Sequence, residues 1–264
     1  LGVSLNFSSG KFGVYIEELC NIYQLTNNKK YLDLANSIAL IWLNDRSFLN
    51  NGLFPFLFRP KFLKPFADYL FKRKIGFSIS SFMSSKANTN LIFGLLSLYK
   101  LTKDKTILNA LYRWHKGVKR LFLDTDNSLF NLFDKFPRSK FLGCDHAVVD
   151  AFLELYVLTN DRLFLRDAEK IINFWLSRQD NSGLVFQGVD GFSVCVDKKL
   201  KYGNNPNFYR LDPQVDFFVI LIKTYQLTKN RKYLVNAEKL LSAICKYHSY
   251  NSAFVDVLDE KKRK

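Results

Sequence analysis

One phrase is written four times along this chain: "IYQLTNN" from Ile22, "LYKLTKD" from Leu98, "LYVLTND" from Leu155 and "TYQLTKN" from Thr224. Aligned on Thr26, Thr102, Thr159 and Thr228, the copies stand 76, 57 and 69 residues apart. That is longer than the roughly 34 to 47 residues of ordinary helical solenoid repeats. In the third copy, Ala147, Val148, Val149, Ala151, Phe152, Leu155, Tyr156 and Leu158 precede the phrase and are apolar almost all round, which describes a buried helix. After it, Leu163, Phe164, Ala168, Ile171, Ile172 and Trp175 recur at helical spacing, with Arg162, Arg166, Asp167, Glu169, Lys170 and Asn173 between them. This second helix is half exposed. Each unit is therefore a buried inner helix, a tight turn and an amphipathic outer helix.

The turn chemistry accounts for the phrase. Asn28, Asp104, Asp161 and Asn230 stand where the outer helix begins, and Asn and Asp are among the best N-caps. The residue before each, Asn27, Lys103, Asn160 or Lys229, closes the inner helix in a left-handed conformation that Asn accepts more readily than Lys. The pairs Tyr31-Leu32, Ile107-Leu108, Phe164-Leu165 and Tyr233-Leu234 pack back across the turn. A second echo follows each outer helix: "NNGLFPF" from Asn50, "DNSLFNLF" from Asp126, "DNSGLVFQ" from Asp180 and "YNSAFVDV" from Tyr250. Each reads as a turn and then a short β-prone run.

These features resemble the α/α-toroid superfamily of carbohydrate-active proteins, whose inner-to-outer helix turn is written like "LYxxTGDxxYLxxA". The matching text is "LYVLTNDRLFLRDA" (Leu155 to Ala168) and "TYQLTKNRKYLVNA" (Thr224 to Ala237). "SRQDNSGLVFQGVDG" (Ser177 to Gly191) is similar to a segment of unsaturated glucuronyl hydrolases and their rhamnogalacturonyl relatives. The expectation is an all-α fold: repeated helical hairpins forming an α/α toroid or an open arc, with short β-hairpin segments in the long loops. One domain over residues 1–264 is expected. Only four hairpins are visible where a closed toroid has six or seven, and residues 59–82 have room for one more helix. The chain opens without Met, so residues upstream are allowed for.

Composition bounds the rest. The 264 residues are 48% apolar and 16% aromatic, enough for a substantial core. No apolar run reaches the roughly 18 residues of a membrane span, and "LGVSLNFSSGK" does not read as a signal peptide. The net charge of +15, from 39 Lys and Arg against 24 Asp and Glu, fits either a lysine-rich coding bias or a surface that attracts nucleic acid, anionic lipid or uronic-acid sugars. The basic residues are scattered, however, and no nucleic-acid motif accompanies them. Cys20, Cys144, Cys195 and Cys245 show no CxxC and no zinc spacing. They read as reduced thiols of a cytoplasmic protein, with a Cys144–Cys195 bridge as the alternative. No phosphate loop, dinucleotide fingerprint, HExxH or GxSxG is present, so neither a cofactor nor a metal is expected.

Counting back from each phrase places the inner-helix starts near Gly10, Lys86, Gly143 and Asp212. Helix N-termini carry free N–H groups and positive partial charge, so the pole they form suits anionic or polyhydroxyl ligands. "GCDHAVVD" brings Asp145 and His146 to that pole, and "NFYRLDPQVD" brings Tyr209, Arg210, Asp212 and Asp216. A carboxylate and an imidazole there suit general acid–base work. Asp212 supplies a second carboxylate for a glycosidase-like pair with Asp145. The plain alternative makes Asp145 and Asp212 caps and His146 a packed helix residue. Arg210 and Lys86 would clamp a substrate carboxylate; Asn88, Asp190 and Tyr209 complete the expected binding set. His115 and His248 are assigned to surface or packing. The function expected is hydrolysis of an acidic, uronate-containing sugar by carboxylate acid–base catalysis. The alternatives are a sugar epimerase or isomerase, which by resemblance would use a pair of histidines, and a non-catalytic arc that binds a glycan or partner.

Overall fold

The computed structural model describes residues 9–54, 85–129, 140–186, 188–189, 209–251, 253–258 and 261. Residues 59–82, Asp190 and Cys195 lie outside them. Two compact units divide the chain: Leu1–Phe122 with Leu132–Lys135, and Leu123–Asn131 with Phe136–Lys264.

Unit 1 contains α1 (Ser9–Thr26), α2 (Lys29–Leu43), the short α3 (Arg46–Asn51), α4 (Ser85–Thr102) and α5 (Lys105–Leu121). Here α1 and α4 are the inner helices, and α1 packs against both α4 and its hairpin partner α2. Glycine is what lets α1 and α4 come so close. A Cβ on Gly13 would stand 2.0 Å from the Asn90 carbonyl oxygen, and one on Gly94 would stand 2.4 Å from the Gly13 oxygen. The outer helices turn Ala35, Ala39, Trp42 and Trp114 inward. Phe48 and Phe54 stack beneath Trp42 with ring centroids 4.1 Å apart.

Unit 2 contains β1 (Lys140–Phe141), α6 (Leu142–Thr159), α7 (Arg162–Leu176), β2 (Gly188–Val189), β3 (Tyr209–Arg210), α8 (Leu211–Thr228) and α9 (Arg231–Ala243). A π-helical turn, Ile244–His248, continues α9 into β4 (Ser249–Tyr250), β5 (Ala253–Phe254) and β6 (Val257–Leu258). The strands form three antiparallel two-stranded pairs: β1 with β2, β3 with β6 and β4 with β5. The inner helices α6 and α8 pack on each other, each with its own outer helix, α7 or α9. The inner-helix starts Ser9, Ser85, Leu142 and Leu211 each fall one residue before the position counted back from the repeated phrase.

The four joints share one geometry. Asn28, Asp104, Asp161 and Asn230 cap α2, α5, α7 and α9, their side chains accepting from Lys30, Thr106, Leu163 and Lys232 N–H groups. Each such cap contributes about 1 kcal/mol. Asn27, Lys103, Asn160 and Lys229 hold φ of 52°, 53°, 56° and 58°. The invariant threonine has its own task. Its hydroxyl donates to the carbonyl four residues back, that of Ile22, Leu98, Leu155 or Thr224. It also accepts from the N–H of the capping residue at 3.2–3.3 Å. One hydroxyl thus satisfies an orphan carbonyl of one helix and an orphan amide at the start of the next. The second echo is equally regular: each of its turns has one residue of positive φ, namely Gly52 (74°), Asn127 (67°), Gly183 (100°) or Asn251 (45°).

Candidate functional site

The first turns of the inner helices carry two kinds of polar residue, one structural and one facing outward. Asn88, Asp145 and Gln214 each stand fourteen residues before their threonine, at Thr102, Thr159 and Thr228. All three are fully buried. Asn88 accepts from the Phe54 N–H at 2.7 Å and donates to the Phe54 carbonyl at 3.0 Å. Gln214 does the same to Val185, accepting at 2.9 Å and donating to its carbonyl. Asp145 accepts from the Leu129 N–H at 3.4 Å and from the Trp175 indole N–H at 2.9 Å. The three side chains are one repeated clamp. Each ties the start of an inner helix to the short extended run after the preceding outer helix, satisfying backbone groups that burial would otherwise orphan. The expectation that Asn88 and Asp145 face a ligand is corrected accordingly.

The position five residues earlier follows the same rule. Lys140 and Tyr209 stand five residues before Asp145 and Gln214. The Lys140 ammonium lies 2.7 Å from both Asp124 and Asp126. The Tyr209 hydroxyl donates to Asp180 at 2.7 Å. Asp126 and Asp180 in turn hold their own turns by accepting from the N–H and hydroxyl groups of Ser128 and Ser182. The Tyr209 ring is fully buried and stacks on Phe186 at 4.8 Å, so it offers no face to a sugar.

Burial sets the chemistry of Asp145. Loss of solvent pushes its carboxyl well above the usual carboxylate range, outweighing the hydrogen bonds from Trp175 and Leu129. Among the described residues, its Oδ1 is buried with no hydrogen-bond partner. Asp212 does not join it. Asp212 is half exposed and pairs with Arg210 at 3.2 Å, and Arg210 reaches Asp256 at 3.6 Å. The N-cap of α8 is Arg210, without a side-chain capping bond, so Asp212 is not the cap either. Lys86 lies in the first turn of α4, its side chain outside the described residues. His115 and His248 are both buried, the packing outcome of the two expected.

His146, unlike its neighbour Asp145, is turned toward the surface. Its Nε2 lies 3.1 Å from Asp216, and its Nδ1 lies 3.2 Å from the Leu142 carbonyl oxygen. Asp216 is about half exposed and the imidazole about one-sixth exposed, so solvent protons reach the pair. A carbonyl on one nitrogen and a carboxylate on the other are both acceptors, so the ring donates to both when it carries two protons and to one of them when neutral. The same face continues along both helices. Lys223 of α8 binds Asp150 and, at 2.7 Å, Glu154 of α6. Burial alone would lower the Lys223 ammonium, but the two carboxylates hold it above the ordinary lysine range. Pairs at the starts of α6 and α8 and again two turns on mean that the two helices run in the same direction. Sequence reasoning passed over Asp150, Glu154 and Lys223 because α6 read as apolar all round. The signal was present, since His146, Asp150 and Glu154 recur every four residues and so share one helix face.

No family model matches the chain, and no curated protein does. Solved structures do. Cellobiose 2-epimerase from Bacillus thermoamylovorans superposes with a TM-score of 0.71 over 97% of this chain at 13% identity. A D-mannose isomerase gives 0.69 over 98% at 14% identity. An unsaturated glucuronyl hydrolase from Bacillus sp. GL1, responsible for the degradation of glycosaminoglycan, gives 0.65 over 95% at 11% identity. This chain spans 65%, 65% and 67% of their respective lengths. No described helix is long and apolar enough to cross a membrane. This chain shares the repeated helical-hairpin fold of these structures.

Proposed function

We propose that this protein acts on a sugar by proton transfer, with His146 as the acid–base group and Asp216 as the carboxylate that orients it. The observation that carries this reading is the 3.1 Å contact between His146 Nε2 and Asp216 on the outward face of α6 and α8. With Nδ1 donating to the Leu142 carbonyl, loss of the Nε2 proton leaves that nitrogen as a base and its return makes it an acid, which suits removal and return of a proton on a carbon beside a carbonyl. Epimerisation and isomerisation of an open-chain sugar are reactions of that kind. The likeness to a cellobiose epimerase and a mannose isomerase supports the same class. The Lys223–Asp150–Glu154 cluster supplies further donors and acceptors for hydroxyl groups on that face.

Hydrolysis of an acidic sugar is the second reading, supported by the likeness to a glucuronyl hydrolase. Its carboxylates would be Asp212 and Asp216, both about half exposed and four residues apart on α8, with Arg210 toward a substrate carboxylate. Asp145 would play no part.

Incubation with a panel of aldoses, disaccharides and unsaturated uronate disaccharides in D2O separates the two. Deuterium appearing at C2, followed by NMR, is the expected result. His146→Gln should slow it by a factor of about 10²–10⁴, the usual contribution of a general acid–base group. New reducing ends without carbon-bound deuterium would replace this reading with hydrolysis.

A further inference from the structure

Unit 1 carries an open surface pocket of about 270 Å³ where the end of α3 meets the second half of α5. Its charge is one-sided. Arg113, Lys116 and Arg120 line it, and no lining residue is a carboxylate. The three cations follow one another at spacings of three and four, so they share one face of α5. Among the described residues none of them forms an ion pair with a carboxylate.

The wall opposite is backbone. Asn51 and Gly52 close α3, with Gly52 at φ 74°. A Cβ on Gly52 would stand 2.4 Å from the Arg113 carbonyl oxygen, and one on Gly117 would stand 2.7 Å from the Asn51 oxygen. The backbones of the α3 end and α5 are therefore in direct contact beside the pocket, which fixes the two walls relative to each other. Two of the cations are already oriented: Arg113 lies over the Phe48 ring at 5.9 Å, and Arg120 donates to the Asn51 carbonyl at 3.0 Å. Each of these contacts leaves guanidinium N–H groups unused. Cations in the last turn of a helix commonly answer its dipole, which covers Arg120. Arg113 and Lys116 lie too far back in α5 for that effect.

We propose that this pocket is a binding site for a small tetrahedral oxyanion, the phosphate or sulfate group of a small molecule. Arg113 and Arg120 clamp the oxygens and Lys116 supplies the point charge between them. The volume falls just below the roughly 300–1,000 Å³ of pockets for drug-sized ligands, which suits one charged group with a small appendage and not an extended polymer. The site stands on unit 1 alone and is independent of the reading of His146.

Titration calorimetry on the whole chain tests it, with inorganic phosphate, sulfate and glucose 6-phosphate in chloride buffer of matched ionic strength. The wild type should bind saturably. Lys116→Glu and Arg113→Gln should each weaken binding about tenfold or more, the loss of one charge-assisted contact. Lys30→Glu, the same charge change on α2 of the same unit, should leave it unaltered. Tighter binding of glucose 6-phosphate than of inorganic phosphate assigns the site to a sugar ester, and equal binding assigns it to the free anion. No saturable binding by the wild type, or equal losses in Lys30→Glu and Lys116→Glu, overturns the site. Lys116 and Arg113 are exposed, and thermal melts of their variants confirm folding.

Discussion

Asp145→Asn should stabilise unit 2 and spare activity. The residue occupies the clamp position that Asn88 and Gln214 fill with amides, and those amides satisfy both the N–H and the carbonyl of their partner residue. Ionised, Asp145 can only accept, whereas an amide donates at every pH. Asp145 therefore reaches the Leu129 N–H at 3.4 Å and leaves Oδ1 without a partner among the described residues, in a fully buried site. An asparagine keeps the acceptor for Leu129 and Trp175 and adds a donor for the Leu129 carbonyl. Against the ionised form, one net hydrogen bond contributes about 0.5–1.5 kcal/mol, or a rise of about 2–4 °C in Tm per kcal/mol for a chain of this order of length. A second, pH-dependent part adds to this. Burial holds the Asp145 carboxyl well above its ordinary range when folded, while an unfolded aspartate titrates near pH 3.9. Between those two values the folded state holds a proton that the unfolded state has lost. Wild-type stability therefore falls as pH rises through that window, by at most about 1.4 kcal/mol per pH unit. Asn has no such decline, so its advantage should widen from pH 4 upward and level off once wild-type Asp145 has ionised. Thermal denaturation of both proteins from pH 4 to 9, followed by circular dichroism, measures the difference. A pH-independent difference, or a destabilised variant, would refute the clamp assignment. So would a variant of unchanged stability whose sugar chemistry is abolished, since that would make Asp145 a catalytic group.

Lys103→Gly and Lys229→Gly place glycine at φ of 53° and 58°, where a non-glycine residue costs about 1–2 kcal/mol; each should raise Tm by a few degrees. Gln214→Leu should cost about 2–6 kcal/mol, because it strands both the N–H and the carbonyl of Val185 at about 1–3 kcal/mol each, and chemical denaturation will read it. Lys140→Met should leave Asp124 and Asp126 facing each other without their shared cation. In the wild type, the hydrogen bond from Lys140 is the largest influence on Asp124, while at Asp126 burial is outweighed by the bonds from Lys140 and Ser128; both carboxyls end below their usual range. Their contribution is present above the unfolded pKa near 3.9 and is lost as pH falls through the lowered folded values. Acid titration of Lys140→Met should therefore show a smaller drop in stability below pH 4 than the wild type.

The hairpins were legible in the sequence because their signals are local. Caps at Asn28, Asp104, Asp161 and Asn230 and left-handed residues before them depend only on neighbours a few positions away. So the joints, the helix starts and the fold class all follow from the repeated phrase. The site was less legible because it turns on rotation about a helix. Asp145 and His146 are adjacent in sequence, yet one step along a helix turns a side chain by about 100°. That step separates a fully buried scaffold residue from an imidazole that reaches the surface. Asn88, Asp145 and Gln214 differ in type, so their common position shows only when they are counted from the threonines. The partner of His146 lies 70 residues away on another helix, and nothing local marks Asp216 over Asp212.

The clamps also decide where this chain can change length. Asn88 meets Phe54 across 34 residues, Asp145 meets Leu129 across 16, and Gln214 meets Val185 across 29. Each clamp pins both ends of one connection between an outer helix and the next inner helix. The ends stay fixed whatever lies between them, and lengthening a loop with pinned ends costs little, about 0.6 kcal/mol for each doubling. These three connections are therefore the places where insertions and deletions can accumulate while the helices keep their register. Grafted segments of new specificity belong there, and shortening the last two as far as Lys140 and Tyr209, which anchor the turns, should leave the hairpins standing.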